Sequence, residues 1–234
     1  MTRLLVHVEG ETEEAFVREV LRPHLISAGY LQVDARIVGN SRQRDRRGGI
    51  QGWPTVRRGI VNHLRQDGGV LVTTMVDYYA LPSAGPNAWP GRAVPATLSM
   101  TDKAETVHQA VSADIDAEMG WAPNRSRFKP FVVMYEFEGL LFSDVDRFAA
   151  GIGRPELAPR FLEIRNQFES PEHINDSPQT APSKRILSIH PEYEKPLLGC
   201  LAALEIGLDG VRNSCAMFDR WLAALEEWPD SLDS

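Results

Sequence analysis

The sequence predicts an α/β protein built on a mainly parallel, four-stranded sheet with helices on both faces. Strand-like hydrophobic segments alternate with helical segments in the order β-α-β-α-β-α-β-α, which is typical of a parallel sheet. The chain has 234 residues, of which 43% are hydrophobic, and this is enough for one large domain. Beyond about residue 145 the pattern indicates only short helices broken by proline and glycine. These three observations define the predicted architecture.

Each predicted element follows from its local residue pattern. The first strand is a hydrophobic run that stops at Glu9, and Thr12 is the predicted N-cap of the helix that follows. Proline near the first position and an apolar stripe indicate another helix after an arginine-rich loop. Strands are predicted at 3–8, 31–38, 69–76 and 129–135, and helices at 54–66, 102–119 and 215–228, with one more that opens with the letters EFEGLLF.

The predicted elements divide the chain into two parts. Residues 1–145 carry every predicted strand and form the α/β core. Residues 146–234 form a helical C-terminal extension that we expect to pack on the core, since short amphipathic helices must bury their apolar faces.

Composition limits the class of protein. No apolar run approaches the length needed to cross a membrane, and a glutamate-rich segment follows the first apolar run where a signal peptide would continue. The two cysteines, Cys200 and Cys215, are too few for a disulfide scaffold. We therefore expect a cytoplasmic protein that does not enter the membrane.

Carboxylates follow three of the predicted strands at the point where each strand ends. Glu9 follows the first strand, Asp77 the third, and Glu136 and Glu138 the fourth, while Glu13 lies one helical turn beyond Glu9. Because the carboxyl ends of parallel strands share one edge of the sheet, where ligands bind, we expect these side chains to converge on one crevice.

Clustered carboxylates repel one another, and a hard divalent cation relieves that repulsion. The sequence therefore predicts a Mg²⁺ or Mn²⁺ site with Glu9, Asp77, Glu136 and Glu138 as metal ligands. Two such ions would hold the attacking and leaving oxygens of a phosphodiester. On this hypothesis Glu9, Asp77 and Glu13 are the catalytic residues. No Walker motif, zinc spacing or serine-hydrolase elbow indicates another cofactor or chemistry.

Helix-terminal roles are the alternative interpretation of these acids. Glu11 and Glu14 are expected only to offset the helix dipole. The EFEGLLF segment is equally explained as a helix start, with Glu136 pointing inward and Glu138 on the exposed face.

Basic residues are concentrated in one stretch of an acidic chain. The net charge is -7, yet residues 36–66 hold eight arginines and a single acid. A basic patch of this kind suits a polyanion. The predicted nucleic-acid contacts are Arg42, Arg44, Arg46, Arg47, Lys184 and Arg185, with Trp89 available to stack on a base. A solvated surface loop is the alternative for 42–47.

Three short motifs resemble the Toprim domain, a fold shared by topoisomerases, primases and nucleases. They are VEGETEE after the first strand, VDYY after the third and EFEGLLF after the fourth. The first is most similar to the overcoming-lysogenization-defect nucleases and to uncharacterised bacterial Toprim-like proteins. The likeness to the second group continues through LPSAGPNAWPG, INDSPQTAPSKRI and EKPLLGCLAALEIGL.

The resemblance implies a role for each matching residue. Glu9 corresponds to the glutamate that binds metal or transfers a proton at the phosphate, Glu13 to the second glutamate, and Asp77 to the first aspartate of an Asp-x-Asp motif. The second aspartate is Tyr79 here, and a tyrosine does not readily bind Mg²⁺ at neutral pH. The resemblance also implies a separate ATPase partner and a role in defence against phage.

The sequence thus leaves three functions open. A metal-dependent nuclease acting on DNA or RNA is the main hypothesis. A non-catalytic Toprim-like module that binds nucleic acid or nucleotide within a larger assembly is the alternative that Tyr79 favours. Hydrolysis of a small phosphorylated metabolite is the third.

Overall fold

A parallel β-sheet with helices packed around it forms the centre of the structure, a computed structural model that describes residues 2–38, 50–175 and 179–229. The order of the strands is β2-β1-β3-β4, and β5 also pairs with β3. The described strands pair in parallel. The strands are β1 (Arg3–Val8), β2 (Gln32–Ile37), β3 (Val70–Asp77), β4 (Phe128–Lys129) and β5 (Val132–Val133). The predicted α/β class is therefore confirmed.

The fourth predicted strand is divided into β4 and β5. Pro130 lies between them, and because proline has no amide hydrogen it cannot continue the ladder. The side chain of Thr74 on β3 fills the gap: its hydroxyl accepts a hydrogen bond from the Phe131 amide at 3.0 Å and donates one to the Phe131 carbonyl at 2.9 Å. The sheet thus has five short strands where the sequence predicted four.

Helices cover the sheet and fill the second half of the chain. The α-helices are α1 (Glu11–Phe16), α2 (Arg22–Ser27), α3 (Trp53–Gln66), α4 (Met100–Met119), α5 (Val145–Gly151), α6 (Ala158–Arg165), α7 (Pro182–Ile189), α8 (Lys195–Ser214) and α9 (Ala216–Glu226). A π-helical turn, Val17–Leu21, joins α1 to α2. It ends two residues before Pro23, which has no amide hydrogen for the regular i→i−4 hydrogen bond. Of the described helices, none is both long enough and apolar enough to traverse a bilayer.

The first helix begins earlier than predicted. Gly10 is its N-cap, in an extended conformation, and Thr12 is a buried residue at the second position of the helix. The Glu13 carboxylate accepts a hydrogen bond from the Gly10 amide at 3.0 Å, so a side chain of the first turn binds the backbone of the N-cap residue. The prediction of Thr12 as the cap is wrong.

The C-terminal helices pack directly on the sheet and on α1. Trp221 of α9 stacks on Phe131 with ring centroids 4.6 Å apart, and its indole N–H donates to the Thr73 hydroxyl at 2.9 Å. The Glu172 carboxylate accepts the first amides of α9 at 3.0 and 3.1 Å and so holds the start of that helix. The hydrophobic core runs through both halves of the chain. A domain boundary at residue 145 stays a prediction.

Candidate active site

The ends of β1 and β3 bring the first two carboxylates together. Glu9 directly follows β1, and Asp77 is the last residue of the neighbouring strand β3. The Asp77 amide donates to Glu9 Oε2 at 3.4 Å, so the two residues are in contact across the edge of the sheet. The parallel register that aligns β1 with β3 is what places them there.

Two more carboxylates complete a group that we call the carboxylate cluster, consisting of Glu9, Glu13, Asp77 and Glu138. Glu13 is 3% exposed in the first turn of α1, and Glu138 is fully buried in a 3₁₀ helix, Phe137–Ser143, that follows β5. Asp77 Oδ1 accepts the Phe137 amide at 2.8 Å, which ties this 3₁₀ helix to the end of β3. Four acidic side chains from three parts of the chain therefore meet at one edge of the sheet.

Lys195 contacts the carboxylate cluster and was not predicted. Its Nζ lies 2.9 Å from Glu138 Oε2 and 3.8 Å from Asp77 Oδ2. The side chain is 41% exposed, so it extends from solvent into the buried acids. A lysine as the first residue of a helix opposes the helix dipole, and this was the one local signal that could have singled it out.

Close packing of α8 on α1 places Lys195. Gly199 lies one turn further along α8, where a Cβ atom would stand 3.1 Å from Thr12 Cγ2 and 2.9 Å from the Tyr193 hydroxyl oxygen. Glycine allows this approach because it has no side chain. The start of α8 therefore lies close enough to α1 for the Lys195 ammonium to reach the acids.

Burial and mutual repulsion shift the proton equilibria of the cluster. The pKa of Glu9 is raised from 4.5 to about 7, mainly by burial and next by the nearby charge of Glu13. Burial likewise raises the pKa of Asp77 and of Glu138, and the Lys195 ammonium opposes both shifts. Burial alone would lower the pKa of Lys195, but the charges of Glu138 and Asp77 outweigh it and raise that pKa well above its usual value.

The oxygen ligands of the cluster are of the kind that bind hard cations, although in the described structure the Lys195 ammonium contacts two of these acids. Carboxylate oxygens are the ligands that Mg²⁺ and Mn²⁺ prefer. Within the described residues, Glu138 Oε1 is buried and accepts no hydrogen bond. Across residues 2–38, 50–175 and 179–229, however, no three histidine, cysteine or acidic side chains are arranged as metal ligands. Lys195 supplies the positive charge in this arrangement.

Glu136 and Glu138 take the opposite orientations to those expected. Glu138 is the buried residue of the pair, whereas Glu136 is half-buried and its Oε2 accepts the Ser183 amide of α7 at 2.9 Å. The reason is that the segment forms a 3₁₀ helix whose residues, including Phe137 and Leu140, are buried together. Glu136 therefore satisfies the start of α7 beside the cluster.

Tyr79, which replaces the second aspartate of the motif, belongs to an aromatic pair. Its ring lies 5.4 Å from that of Tyr135, and its hydroxyl accepts a hydrogen bond from the Asn175 side chain. Tyr135 has a φ angle of 69°, a left-handed conformation that is costly for a non-glycine residue. This strained residue directly precedes Glu136, and no sequence pattern indicated it.

The predicted nucleic-acid contacts fall into three groups. Arg42, Arg44, Arg46 and Arg47 lie outside the described residues. Lys184 is exposed on α7, next to the residue that contacts Glu136. Arg185 is half-buried, donates to the Thr180 carbonyl at 2.8 Å and lies over the Phe168 ring.

Other arginines of the basic segment have structural partners. Arg57 and Arg65 of α3 form ion pairs with α4, at 2.6 Å to Asp114 and at 2.8 and 2.9 Å to Glu118. These two arginines therefore hold two helices together, and the basic stretch is not a single open patch.

Trp89 and Arg92 lie in the long loop that follows Asp77. Trp89 is 2% exposed and packs against Trp53 with ring centroids 4.8 Å apart, so the prediction that it is available to stack on a base is wrong. Arg92 lies 3.8 Å above the Tyr78 ring and donates to the Tyr78 carbonyl at 3.1 Å. Arg92 is thus a cation in contact with the residue that follows Asp77, and the sequence analysis did not select it.

The fold and the site define an α/β protein with a buried acidic cluster at the carboxyl edge of a parallel sheet. The family model described as a domain of unknown function, DUF4276, matches residues 8–226, so the chain belongs to this family. The matched range includes the whole cluster and Lys195. No curated protein and no solved structure matches the chain.

Proposed function

We propose that this protein is a Mg²⁺- or Mn²⁺-dependent phosphodiesterase that cleaves nucleic acid at the carboxylate cluster. The observation that carries the proposal is the meeting of Glu9, Glu13, Asp77 and Glu138 in one buried site around a single described ammonium. Burying a carboxylate is costly unless it is paired, and four acids against one lysine would leave excess negative charge when all four are ionised, which is consistent with the raised pKa values of Glu9, Asp77 and Glu138. A divalent cation would neutralise that excess.

The chain offers specific roles for these residues. Glu9, Asp77 and Glu138 would hold the metal, with Glu13 in support, and the metal would lower the pKa of a bound water and offset charge on the phosphate. The hydrogen bond from the Phe137 amide fixes the orientation of Asp77. Burial and the charge of Glu13 raise the pKa of Glu9 to about 7 in the metal-free site, so binding of the metal by Glu9 would release a proton near neutral pH.

Nucleic acid is the proposed substrate because cationic side chains lie on segments that contact Glu136 and Tyr78, which are close in sequence to members of the cluster. Lys184 and Arg185 lie on α7, whose start contacts Glu136, and Arg92 lies beside Tyr78. Such side chains contact phosphates without selecting sequence. The contribution of the arginines at 42, 44, 46 and 47 stays a prediction.

The resemblance to Toprim nucleases supports the same proposal, since Glu9, Glu13 and Asp77 occupy its motif positions. By that resemblance we also propose that the protein works in the cytoplasm with a separate ATPase, in defence against phage. Both cysteines are free thiols in the described structure, which is compatible with a reducing compartment.

A second candidate function is a non-catalytic module that binds nucleic acid or nucleotide. Lys195 favours it, because its ammonium already pairs with Glu138 and Asp77 where a metal would be expected. Tyr79 favours it too, since its hydroxyl is engaged with Asn175. The two candidates differ in whether a divalent cation binds at all.

The test is cleavage of labelled single- and double-stranded DNA and RNA, in Mg²⁺, in Mn²⁺ and in EDTA. Glu9→Gln, Asp77→Asn and Glu138→Gln each remove one cluster charge with little change in shape. Glu11→Gln is the matched control, because Glu11 is an exposed acid in the same first turn as Glu13. We expect metal-dependent cutting that falls by about 10²-fold or more in each cluster variant and is unchanged in the control.

Calorimetric titration of metal into EDTA-stripped protein separates the remaining outcomes. Metal binding without cutting of any nucleic acid would direct the search to small phosphorylated metabolites. No metal binding, together with nucleic-acid binding that weakens steeply with salt, would favour the non-catalytic module. Cutting that survives all three cluster variants would refute the proposed site.

A further inference from the structure

The first half of α8 is apolar on almost every side. In the stretch 196–206, which is described throughout, the one charged residue is Glu205. One side of this stretch is buried against α1 and α5, where Gly199 and Ala202 lie close to the neighbouring helices. A surface helix needs an apolar stripe on its buried side alone, whereas a helix that is apolar all round is typical of one that is covered on all sides.

The opposite side of α8 carries three exposed leucines, which we call the leucine face. Leu197, Leu201 and Leu204 are 58%, 42% and 45% exposed. Their spacing of i, i+4 and i+7 places them in one row along the helix. Six large hydrophobic residues are exposed in the described part of the chain, and three of them form this row. Leucines exposed singly need no explanation, but a contiguous row indicates a surface that another molecule covers.

The leucine face has an acid at each end. Glu194 is the N-cap of α8, three positions before Leu197, and Glu205 lies four positions after Leu201. Residues three or four apart are neighbours on a helix, so these positions adjoin the row of leucines. Both glutamates are exposed, and neither forms an ion pair with another described residue.

A hollow continues the leucine face beyond Leu204. It has a volume of about 430 Å³, and Leu204 and Leu208 line it together with the segment that joins α1 to α2. Three of the ionisable side chains around the hollow are paired within the described structure: Glu19, His24 and Arg147. Asp209 is exposed and forms no ion pair with another described residue. The charges left without a described partner at the leucine face and at the hollow are therefore negative.

Charge and symmetry distinguish the possible occupants of the leucine face. The acids would repel nucleic acid and an anionic membrane. A second copy of this chain bound through the same face would bring acids together. In an antiparallel pair of α8 helices, Glu194 of one copy would lie near Glu205 of the other, and in a parallel pair each acid would meet its own counterpart. An apolar surface with cations at its ends is complementary instead.

We propose that the leucine face binds an amphipathic helix of a partner protein, with apolar side chains along its centre and lysine or arginine at its ends. The apolar side chains would pack between the three leucines, and one of them would enter the hollow beside Leu208. The cations would pair with Glu194, Glu205 and Asp209. Lys195 begins the same helix and contacts the carboxylate cluster, so the partner would lie beside the proposed active site. The docking surface does not depend on nuclease activity.

The probe is a synthetic amphipathic peptide with leucines at i, i+4, i+7 and i+11 and lysines at its other surface positions. A second peptide has glutamate in place of every lysine. Fluorescence anisotropy with the full chain should show saturable binding of the lysine peptide that weakens with salt, and binding of the glutamate peptide that is weaker by about tenfold or more. Leu201→Ser should weaken binding of the lysine peptide by about tenfold or more, because it removes the central apolar contact. Leu162→Ser, at a similarly exposed leucine on α6, is the matched control and should bind as wild type does.

Glu205→Lys tests the charge. It should bind the lysine peptide less tightly than wild type and the glutamate peptide more tightly. Glu163→Lys makes the same change in net charge at an exposed acid on α6 and should alter neither affinity.

The proposal is overturned if the lysine peptide does not bind at millimolar concentration, or if Leu201→Ser binds it as tightly as wild type does. It is also overturned if Glu163→Lys reproduces the effect of Glu205→Lys, since net charge alone would then explain the binding. A wild-type dimer in light scattering that Leu201→Ser converts to a monomer would assign the leucine face to a second copy and overturn the proposal as well.

Discussion

Replacing Lys195 with methionine should destabilise the metal-free protein, because it removes the described cation in contact with the carboxylate cluster. Methionine keeps the length and the apolar stem of lysine but cannot pair with Glu138 or Asp77. The buried acids would then repel one another without compensation. We expect a lower free energy of unfolding at pH 8.

The size of the effect follows from the geometry. Opposite charges 2.9 Å apart attract by about 6 kcal/mol at an effective dielectric constant of about 20. Because the Lys195 side chain is 41% exposed, water screens this attraction, and the ammonium also loses some hydration when the protein folds, so the net loss should be about 2–4 kcal/mol.

The loss should depend on pH and on metal. Without Lys195 the folded-state pKa values of Asp77 and Glu138 rise further above their unfolded values, so the folded protein holds these protons more tightly. The penalty is therefore larger at pH 8 than at pH 5.5. Mg²⁺ or Mn²⁺ should also stabilise the variant more than wild type, since it would replace the missing charge.

Urea unfolding of both proteins at pH 5.5 and 8, with EDTA or with metal, measures these effects. Lys184→Met is the control, because Lys184 is an exposed lysine that forms no ion pair with another described residue. An unchanged free energy of unfolding for Lys195→Met at pH 8 would refute the electrostatic role assigned to Lys195.

Three further changes test other parts of the structure. The pKa of Glu9 is about 7 in the folded protein against an ordinary 4.5, so the stability of wild type should fall as the pH rises through that interval. In EDTA, Glu9→Gln should remove up to about 3 kcal/mol of this fall. An identical pH profile of stability for both proteins would contradict the raised pKa. Gly199→Ala should lower the free energy of unfolding in urea by about 1–3 kcal/mol, because its Cβ would lie 2.9 Å from the Tyr193 hydroxyl oxygen. Gly68→Ala is the control and should lower it by almost nothing, since a Cβ at Gly68 would be in open space. Equal losses in the two variants would refute the close approach of α8 to α1. Glu172→Ala should lower the thermal midpoint, with a loss of about 2 kcal/mol, since the first amides of α9 lose their acceptor; an unchanged midpoint would show that this contact contributes nothing.

Local sequence patterns predicted most of the fold. The predicted strands at 3–8, 31–38 and 69–76 agree with the observed ones to within one residue at each end, because buried strands are short β-branched runs that stop at turn residues. The pattern failed at 129–135, where Pro130 divides the strand, since hydrophobicity alone does not report a missing amide.

The carboxylate cluster was predictable in part for the same reason. Parallel strands share one carboxyl edge, so acids at the ends of β1 and β3 were expected on the same edge, and the strand order, which places β3 beside β1, brings Glu9 into contact with Asp77. The orientations of Glu136 and Glu138 were not predictable, because a 3₁₀ helix and an α-helix place residues two positions apart in different directions.

The sequence by itself therefore determined the order of the elements, the parallel sheet and the edge at which the acids collect, all of which depend on near neighbours in the chain. Only the tertiary structure brought Lys195 to Glu138, buried Trp89 against Trp53 and left Asp116 Oδ1 unsatisfied within the described residues. Each of these depends on contacts between segments far apart in sequence, such as the close approach of α8 to α1 at Gly199. Such contacts are set by the shapes of packed surfaces, which no local pattern records.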